Sequence, residues 1–362
     1  MRPVICFFEK ELFIYSLEYS LLSCPAGKSV EFFLQEIERD YLNDLKIVQV
    51  NFEYDDTQRF KKQKNLYISA KATVFLIKNY DLKTLAEIKT LHYTGELKTP
   101  VRVFKPLITK NEFMDGVAKI RLEITRGRIY QVNLTAPMTS QTQADPLDLF
   151  FHFESRYPSA YKAFLPFDNH ELLSFSPELF LKNSRQELVT RPIKGSLSKT
   201  ADFLVSLYKN KKEEAELSMI VDLLRNDLNS LGNPDPALVT QHRKALHLDY
   251  IQHTFSEIKL KNSFSLPYVL KKMMPGGSIS GCPKLESLNV ISEIEPFKRQ
   301  AYTGTIGWWR KNDFKLNLSI RTFIKSGALL IYHSGCGIVF DSDAELEWKE
   351  FLLKTGGLVV EN

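Results

Sequence analysis

The chain has 362 residues, 44% apolar and 25% charged, which is ordinary globular usage and excludes disorder over most of its length. That length can bury a sizeable core and hold two subdomains. Lys and Arg number 48 against 43 Asp and Glu, a net charge of +5, and the basic residues are scattered in short runs such as Lys61-Lys62. No basic stripe is present for nucleic acid, so no nucleic-acid partner is expected.

The four cysteines, Cys6, Cys24, Cys282 and Cys336, include no C-x-x-C pair. This argues against a disulfide scaffold or a zinc ribbon and suits a reducing cytosol. Met1 to Glu11 lacks the basic start, apolar stretch and small-residue cleavage site of a signal peptide. No apolar run reaches the ~18 residues of a membrane span. The expectation is a cytoplasmic globular enzyme with no membrane partner.

In chain order, residues 1–105 are rich in Phe, Tyr, Ile and Val and read as sheet framework, with Tyr67 to Ile77 as a strand. They carry no recognisable chemistry. Pro100 and Pro106 mark a connection to residues 106–362. Thr109 reads as an N-cap, followed by Phe113, Val117, Ile120 and Ile124 at helical spacing. Gly127 ends that helix, and Ile129 to Thr135 alternates like a strand. From there short strands and helices interleave to the end, which predicts an α+β fold with antiparallel sheets.

The clearest helix is Glu213 to Leu228, whose apolar stripe is Leu217, Ile220, Leu224 and Leu228. Glu213 and Glu216 sit at the edge of that stripe, three residues apart. Either they meet the helix dipole in the first turn or they face a cation. A second pair follows Asp341-Ser342-Asp343, where Ala344 to Thr355 reads as a helix. Glu347, Glu350 and Lys354 line one of its faces. A solvated Glu350–Lys354 pair explains this spacing; two E-x-x-E helices sharing Mg²⁺ explain it as well.

Met274 to Lys284 (MPGGSISGCPK) contains G-x-x-x-x-G but has Cys-Pro where a nucleotide loop needs Lys and Ser or Thr. It reads as a tight turn, with or without an anion against its backbone. Ser334 to Val339 (SGCGIV) places Cys336 between two glycines. It reads as a loop where backbone approaches a ligand. A nucleophilic role for Cys336 would require a base, and only His333 is near in sequence.

Nine blocks in order carry a resemblance: GRIYQVNLT (127–135), SPELFL (176–181), TRPIKGS (190–196), EEAELSMIVDLLRNDL (213–228), QHTFSEI (252–258), PGGSISGCPKLESLNVISEIEP (275–296), YTGTIGWW (302–309), LSIRTF (318–323) and GCGIVFDSDAELEWKE (335–350). Together they resemble the chorismate-utilising enzymes over about residues 112–358. The family fold is α+β, with two stacked antiparallel sheets and helices outside. The resemblance makes residues 106–362 a chorismate-binding catalytic domain and 1–105 a shortened N-terminal portion of the framework.

Two positions sort the family's reactions. Water-using members carry Lys where this chain has Gln131, which matches the ammonia-using members. Anthranilate synthases usually carry Ala where this chain has Lys194. Both features resemble aminodeoxychorismate synthase component I, which aminates chorismate on the route to 4-aminobenzoate and folate. The resemblance implies Glu178 as general acid, Lys194 as nucleophile at C2 and His253 near the C4 hydroxyl. It implies Mg²⁺ on Glu216 and Glu350, with Glu213 and Glu347 acting mainly through water. Tyr302 and Arg321 match positions that hold the enolpyruvyl carboxylate. Gly337 offers its N–H to a carboxylate, Ser196 keeps the hydroxyl of the usual Thr, and Lys354 lies beside the metal.

The implied partner is a glutamine amidotransferase subunit supplying ammonia. The rival readings are anthranilate synthase component I and a catalytically silent chorismate-binding regulatory subunit. The family's triple glycine is interrupted by Cys336, and its tryptophan motif is not matched in the N-terminal region.

Overall fold

The computed structural model describes residues 2–8, 11–54, 59–93, 95, 97, 99, 101–157, 159–198, 211–247 and 251–354. The side chains of 194–198, 211–216, 245–247 and 251–253 lie outside the description. The N-terminal elements are β1 (Val4–Phe7), β2 (Leu12–Ser23), α1 (Val30–Asp40), β3 (Leu45–Val50), β4 (Ala72–Thr84) and α2 (Leu85–His92). The middle of the chain forms β5 (Lys105–Pro106), α3 (Lys110–Thr125), β6 (Gln131–Gln141), α4 (Pro146–Glu154), β7 (Tyr161–Pro166), β8 (Glu171–Ser176), β9 (Leu179–Ser184), β10 (Glu187–Arg191) and β11 (Ile193–Ser198). Then follow α5 (Lys211–Asn229), β12 (Leu238–His247), β13 (Ile251–Lys261), α6 (Leu266–Met273), α7 (Gly277–Ser280), β14 (Gly281–Cys282) and α8 (Lys284–Ile294). The last elements are β15 (Thr305–Arg310), β16 (Asp313–Leu318), β17 (Thr322–Ser326), β18 (Leu329–Ile338) and α9 (Ala344–Leu353).

Every pairing between these strands is antiparallel, and the pairings join them into one network, as the expected α+β class requires. From one end it runs β12–β13–β10–β9–β16–β15–β3–β4–β2–β1. It continues β1–β7–β8–β17–β18–β6. β11 follows β10 along the same edge of β13, and β5 and β14 add to β6. The N-terminal strands therefore lie in the middle of the network and connect its two halves. α3 and α9 pack on β18, α5 packs on β11 to β13, and α7 and α8 pack on β6.

Local sequence explains the helix that leads into β6. Thr109 and Glu112 form a reciprocal capping box, and Phe113, Gly116, Val117 and Ile120 bury one face. Gly127 supplies the positive φ of +73° that turns the chain out of the helix. The expected strand at Tyr67 begins only at Ala72. Residues just before it are held by a turn from the other half: Gln300 Nε2 donates to the Tyr67 carbonyl at 2.9 Å, and the Ala301 N–H donates to the Tyr67 hydroxyl at 3.2 Å. Backbone groups bound this way are not offered to a neighbouring strand.

One buried charge ties these parts together. Arg299 is 1% exposed and its guanidinium binds Glu295 at 2.7 and 3.0 Å. It also donates to the carbonyls of Ile279 at 2.8 Å and Asn133 at 2.7 Å. Its other side lies 4.5 Å from the Phe52 ring centre. Glu295 accepts the Thr135 N–H at 2.9 Å, and Glu53 accepts the N–H groups of Arg299 and Gln300 at 2.9 and 3.2 Å. Removing one member leaves a buried charge unmatched. Arg299→Met is expected to lower the unfolding free energy by about 3–5 kcal/mol, read by chemical denaturation.

His170 is buried between Phe167 and Tyr67, at ring separations of 4.4 and 4.9 Å. Burial lowers its pKa from 6.5 to about 4. Below pH 6.5 the unfolded chain takes up a proton that the folded chain refuses, so stability falls as pH drops from about 6.5 to about 4. The loss approaches about 1.4 kcal/mol per pH unit. His170→Gln is expected to flatten that part of the pH–stability curve, measured by denaturation at pH 7 and pH 4.5.

Candidate active site

Glu178 lies at the corner between β8 and β9. Ser176 Oγ accepts the Glu178 N–H at 3.2 Å and donates to the Leu318 carbonyl at 2.5 Å. The Leu318 N–H donates to the Glu178 carbonyl at 3.1 Å. These bonds pin the corner to β16. The Glu178 residue is 6% exposed, and its carboxyl Oε1 accepts a bond from Ser278 Oγ at 3.3 Å.

Strand alternation places Gln131 and Asn133 on one face of β6, opposite the glycine-rich end of β18, where Gly337 pairs with Asn133. A Cβ on Gly337 would lie 2.7 Å from Gln131 Nε2 and 3.1 Å from Asn133 Oδ1. A side chain there would force the Gln131 amide to move. Asn133 Nδ2 donates to the Ser278 carbonyl at 3.3 Å. Gln131, Asn133, Gly337, Ser278 and Glu178 thus form a connected group.

A second group carries charge. Arg321 follows β16 with φ +50°, its carbonyl accepting the Phe175 N–H at 3.0 Å. Among the described residues its guanidinium makes no hydrogen bond or ion pair. Burial lowers its pKa, opposed by the hydroxyls of Tyr332 and Tyr157. Tyr332 donates to the Lys354 carbonyl at 2.9 Å. Tyr302 stacks on His333 at 5.2 Å and 14°, and burial pushes the Tyr302 hydroxyl up to about 12 against the opposing charge of Lys354. Lys354 Nζ donates to the Gly335 carbonyl and to Glu350 Oε1, at 2.8 and 2.7 Å.

On α9, capped by Asp343 at Leu346 N–H, the two glutamates differ. Glu347 is 6% exposed and accepts from Ser342 Oγ at 2.7 Å. The Glu350 side chain is 53% exposed and pairs with Lys354. One ligand atom each from Glu347, Glu350 and Cys336 lies within 4.8 Å of the others. Two hard oxygens in that set suit a divalent cation.

Cys336 corrects the sequence reading, because it belongs to strand β18 and not to a loop. Its buried thiol donates to the Glu347 carbonyl at 3.3 Å, and burial raises its pKa. His333, three residues earlier, is not beside it. Alternation sends His333 to the opposite face, against Tyr302. Burial and the charge of Arg299 lower the His333 pKa to about 3.

The side chains of Lys194, Ser196, Glu213, Glu216 and His253 lie outside the described residues. Backbone register places Lys194 opposite Thr254 and Ser196 opposite His253 on the β11–β13 pair, with Glu213 and Glu216 in the first part of α5. Asn133, Ser278, Tyr332 and Ser342 enter the site without a sequence prediction. Asn133 was reachable from its i+2 spacing to Gln131 on a strand. The others depend on contacts between distant segments.

Among the described residues no helix is long and apolar enough to cross a membrane. A family model for chorismate binding enzymes matches residues 35–359. Aminodeoxychorismate synthase component 1 of Bacillus subtilis is 32% identical over 260 residues, covering 69% of this chain and 55% of that protein. An anthranilate synthase component 1 of Haloarcula marismortui is 34% identical over 256 residues, covering 68% and 51%. The chain thus spans about half the length of these relatives. Anthranilate synthase component I of Streptococcus pneumoniae superposes with a TM-score of 0.80 at 22% identity, covering 99% of this chain and 90% of that one. The menaquinone-specific isochorismate synthase MenF of Escherichia coli superposes at 0.76 and 17%, covering 99% and 88%. The order of motifs, the shared fold and the family match agree: this chain belongs to the chorismate-binding enzyme family.

Proposed function

We propose that the chain is the chorismate-aminating component of an aminodeoxychorismate synthase, acting with ammonia from a separate glutamine amidotransferase subunit. The observation that carries chorismate as substrate is Arg321. A guanidinium that is partly removed from water and has no anionic partner among the described residues is costly unless an anion completes it. Chorismate is a dicarboxylate, and Arg321 with Tyr302 offers one carboxylate a charged, planar grip. The Gly337 N–H and the face it clears beside Gln131 suit the other end.

Amination at C4 must remove a hydroxyl, a poor leaving group that needs a proton from a general acid. Glu178 is assigned that proton. Lys194, as a neutral amine, attacks C2; both conjugated ring double bonds shift toward C4 and the C4–O bond breaks, the oxygen taking the Glu178 proton and leaving as water. Ammonia then attacks C4, both double bonds shift back, and the C2–N bond breaks to release the lysine amine. Nitrogen ends where oxygen began. His253 stands near the C4 hydroxyl and Ser196 beside the substrate in this assignment.

Mg²⁺ is assigned to Glu216 and Glu350, with Glu213 and Glu347 through water, and when bound it draws negative charge from the ring carboxylate. The convergence of Glu347 and Glu350 supports that donor set. Lys354, paired with Glu350, holds that carboxylate's orientation. Relatives named for aminodeoxychorismate and for anthranilate synthesis are about equally similar, so the choice between them rests on Lys194, where anthranilate synthases usually carry Ala.

Incubation with chorismate, Mg²⁺ and an ammonium salt is expected to yield aminodeoxychorismate by mass spectrometry, converted to 4-aminobenzoate only when a lyase is added. Anthranilate formed without lyase would overturn the assignment in favour of the tryptophan branch. No turnover under these conditions, together with Mg²⁺-dependent chorismate binding, would favour a silent binding subunit. Lys194→Ala is expected to lower kcat for amination at least about 100-fold, because a covalent nucleophile has no substitute in the site; the rate is followed by loss of chorismate.

A further inference from the structure

We propose that Ser278 is a positioning residue for the Glu178 carboxyl, able to hold it in both of its protonation states. The inference rests on the proposed role of Glu178 as a general acid. It begins from a difference between two serines on the same short turn. Ser280 Oγ donates to the Gly276 carbonyl at 2.9 Å, the ordinary local bond of a helical serine. Ser278 Oγ instead reaches across 100 residues of sequence to Glu178 Oε1 at 3.3 Å.

The turn that carries Ser278 is fixed from several sides. The Ser278 carbonyl accepts from Asn133 Nδ2 at 3.3 Å, and the Ile279 carbonyl accepts from Arg299 Nη1 at 2.8 Å. Gly277 packs so closely on α5 that a Cβ there would lie 2.6 Å from Leu223 Cδ2. The backbone beneath the hydroxyl is therefore held by β6, by the buried Arg299 and by α5. On the other side Glu178 is pinned through Ser176 to β16. Both residues are buried, Ser278 at 9% and Glu178 at 6%. The bond joins two rigid supports, so it sets the direction of the carboxyl and does not follow it.

The chemistry of a hydroxyl suits this place. An acid that gives up its proton during turnover is a carboxylic acid before the step and a carboxylate after it. A donor-only partner satisfies one of these states better than the other. Ser Oγ donates to the carboxylate and accepts from the acid without moving. It therefore keeps the carboxyl aimed at one position through the proton transfer, where a small misplacement is expensive in rate.

The test is steady-state turnover of chorismate by the full chain carrying Ser278→Ala, Ser278→Cys or Ser278→Thr, with thermal unfolding of each. Ser278→Ala is expected to lower kcat about tenfold with KM for chorismate within about twofold, the pattern of an interaction used in the transition state. Ser278→Thr, which keeps the hydroxyl, is expected to recover most of the rate, and Ser278→Cys to lie between. An alanine variant with wild-type kcat overturns the inference. So does a series in which Thr is as slow as Ala, or in which kcat falls only in step with thermal stability. Absence of chorismate turnover in the wild-type chain is a separate result that removes the proposed activity, and with it the role of Ser278.

Discussion

The buried Arg299–Glu295 pair is the constraint on which the site depends. Both groups are removed from water, so each is tolerable only because the other is present and because backbone groups satisfy the remaining positions. Those backbone groups belong to β6 and to the turn of α7, and the Phe52 ring covers the guanidinium. The pair thereby sets the distance between the N-terminal strands, the strand bearing Gln131 and Asn133, and the turn bearing Ser278. A purely apolar contact would join these pieces with as much energy but with less register. The directional bonds of the guanidinium hold Glu295, Ile279 and Asn133 at once.

Around that anchor the two groups of site residues differ in charge. At one end Gln131, Asn133, Ser278 and Gly337 present neutral groups and cleared backbone to Glu178. At the other, Arg321, Tyr302 and Lys354 provide cationic or hydrogen-bonding groups, linked through Tyr332. The second group suits an anionic ligand. Glu178 is delivered by the β8–β9 corner, and Arg321 by the connection from β16 to β17.

The local features were legible in the sequence because their causes are local. The capping box at Thr109, the end of α3 at Gly127, the long helix with Leu217, Ile220, Leu224 and Leu228, and the Asp343 cap all arise from residues within a few positions of one another. The site residues came instead from the order of motifs, since nothing in the spacing of Glu178 or Arg321 says what they face. Ser278 shows why the rest was hidden. Its neighbour Ser280 has the same type, the same turn and a different partner, and only the packing of a segment 100 residues away distinguishes them. Glu347 and Glu350 make the same point at shorter range. Their E-x-x-E spacing reads as one face, yet one carboxylate is buried against Ser342 and the other is exposed beside Lys354.

Cys336 is where the sequence departs from the family's glycine triplet, and the strand explains why the departure is tolerated. In β18 successive side chains alternate between faces. At 335 a Cβ would lie 2.6 Å from the Leu134 carbonyl oxygen, which is backbone and leaves no room; at 337 it would lie 2.7 Å from Gln131 Nε2, the end of a side chain that would have to move. Both remain glycine. Position 336 faces the underside of α9, where a thiol fits and donates to the Glu347 carbonyl. The side chain added there points away from the face that carries Gln131 and Asn133. It contacts instead the helix that carries Glu347 and Glu350, so its effect is felt through the placement of that helix. The glycine requirement in this motif is thus set position by position by what each face approaches, and it is strictest at Gly335, where the neighbour is backbone.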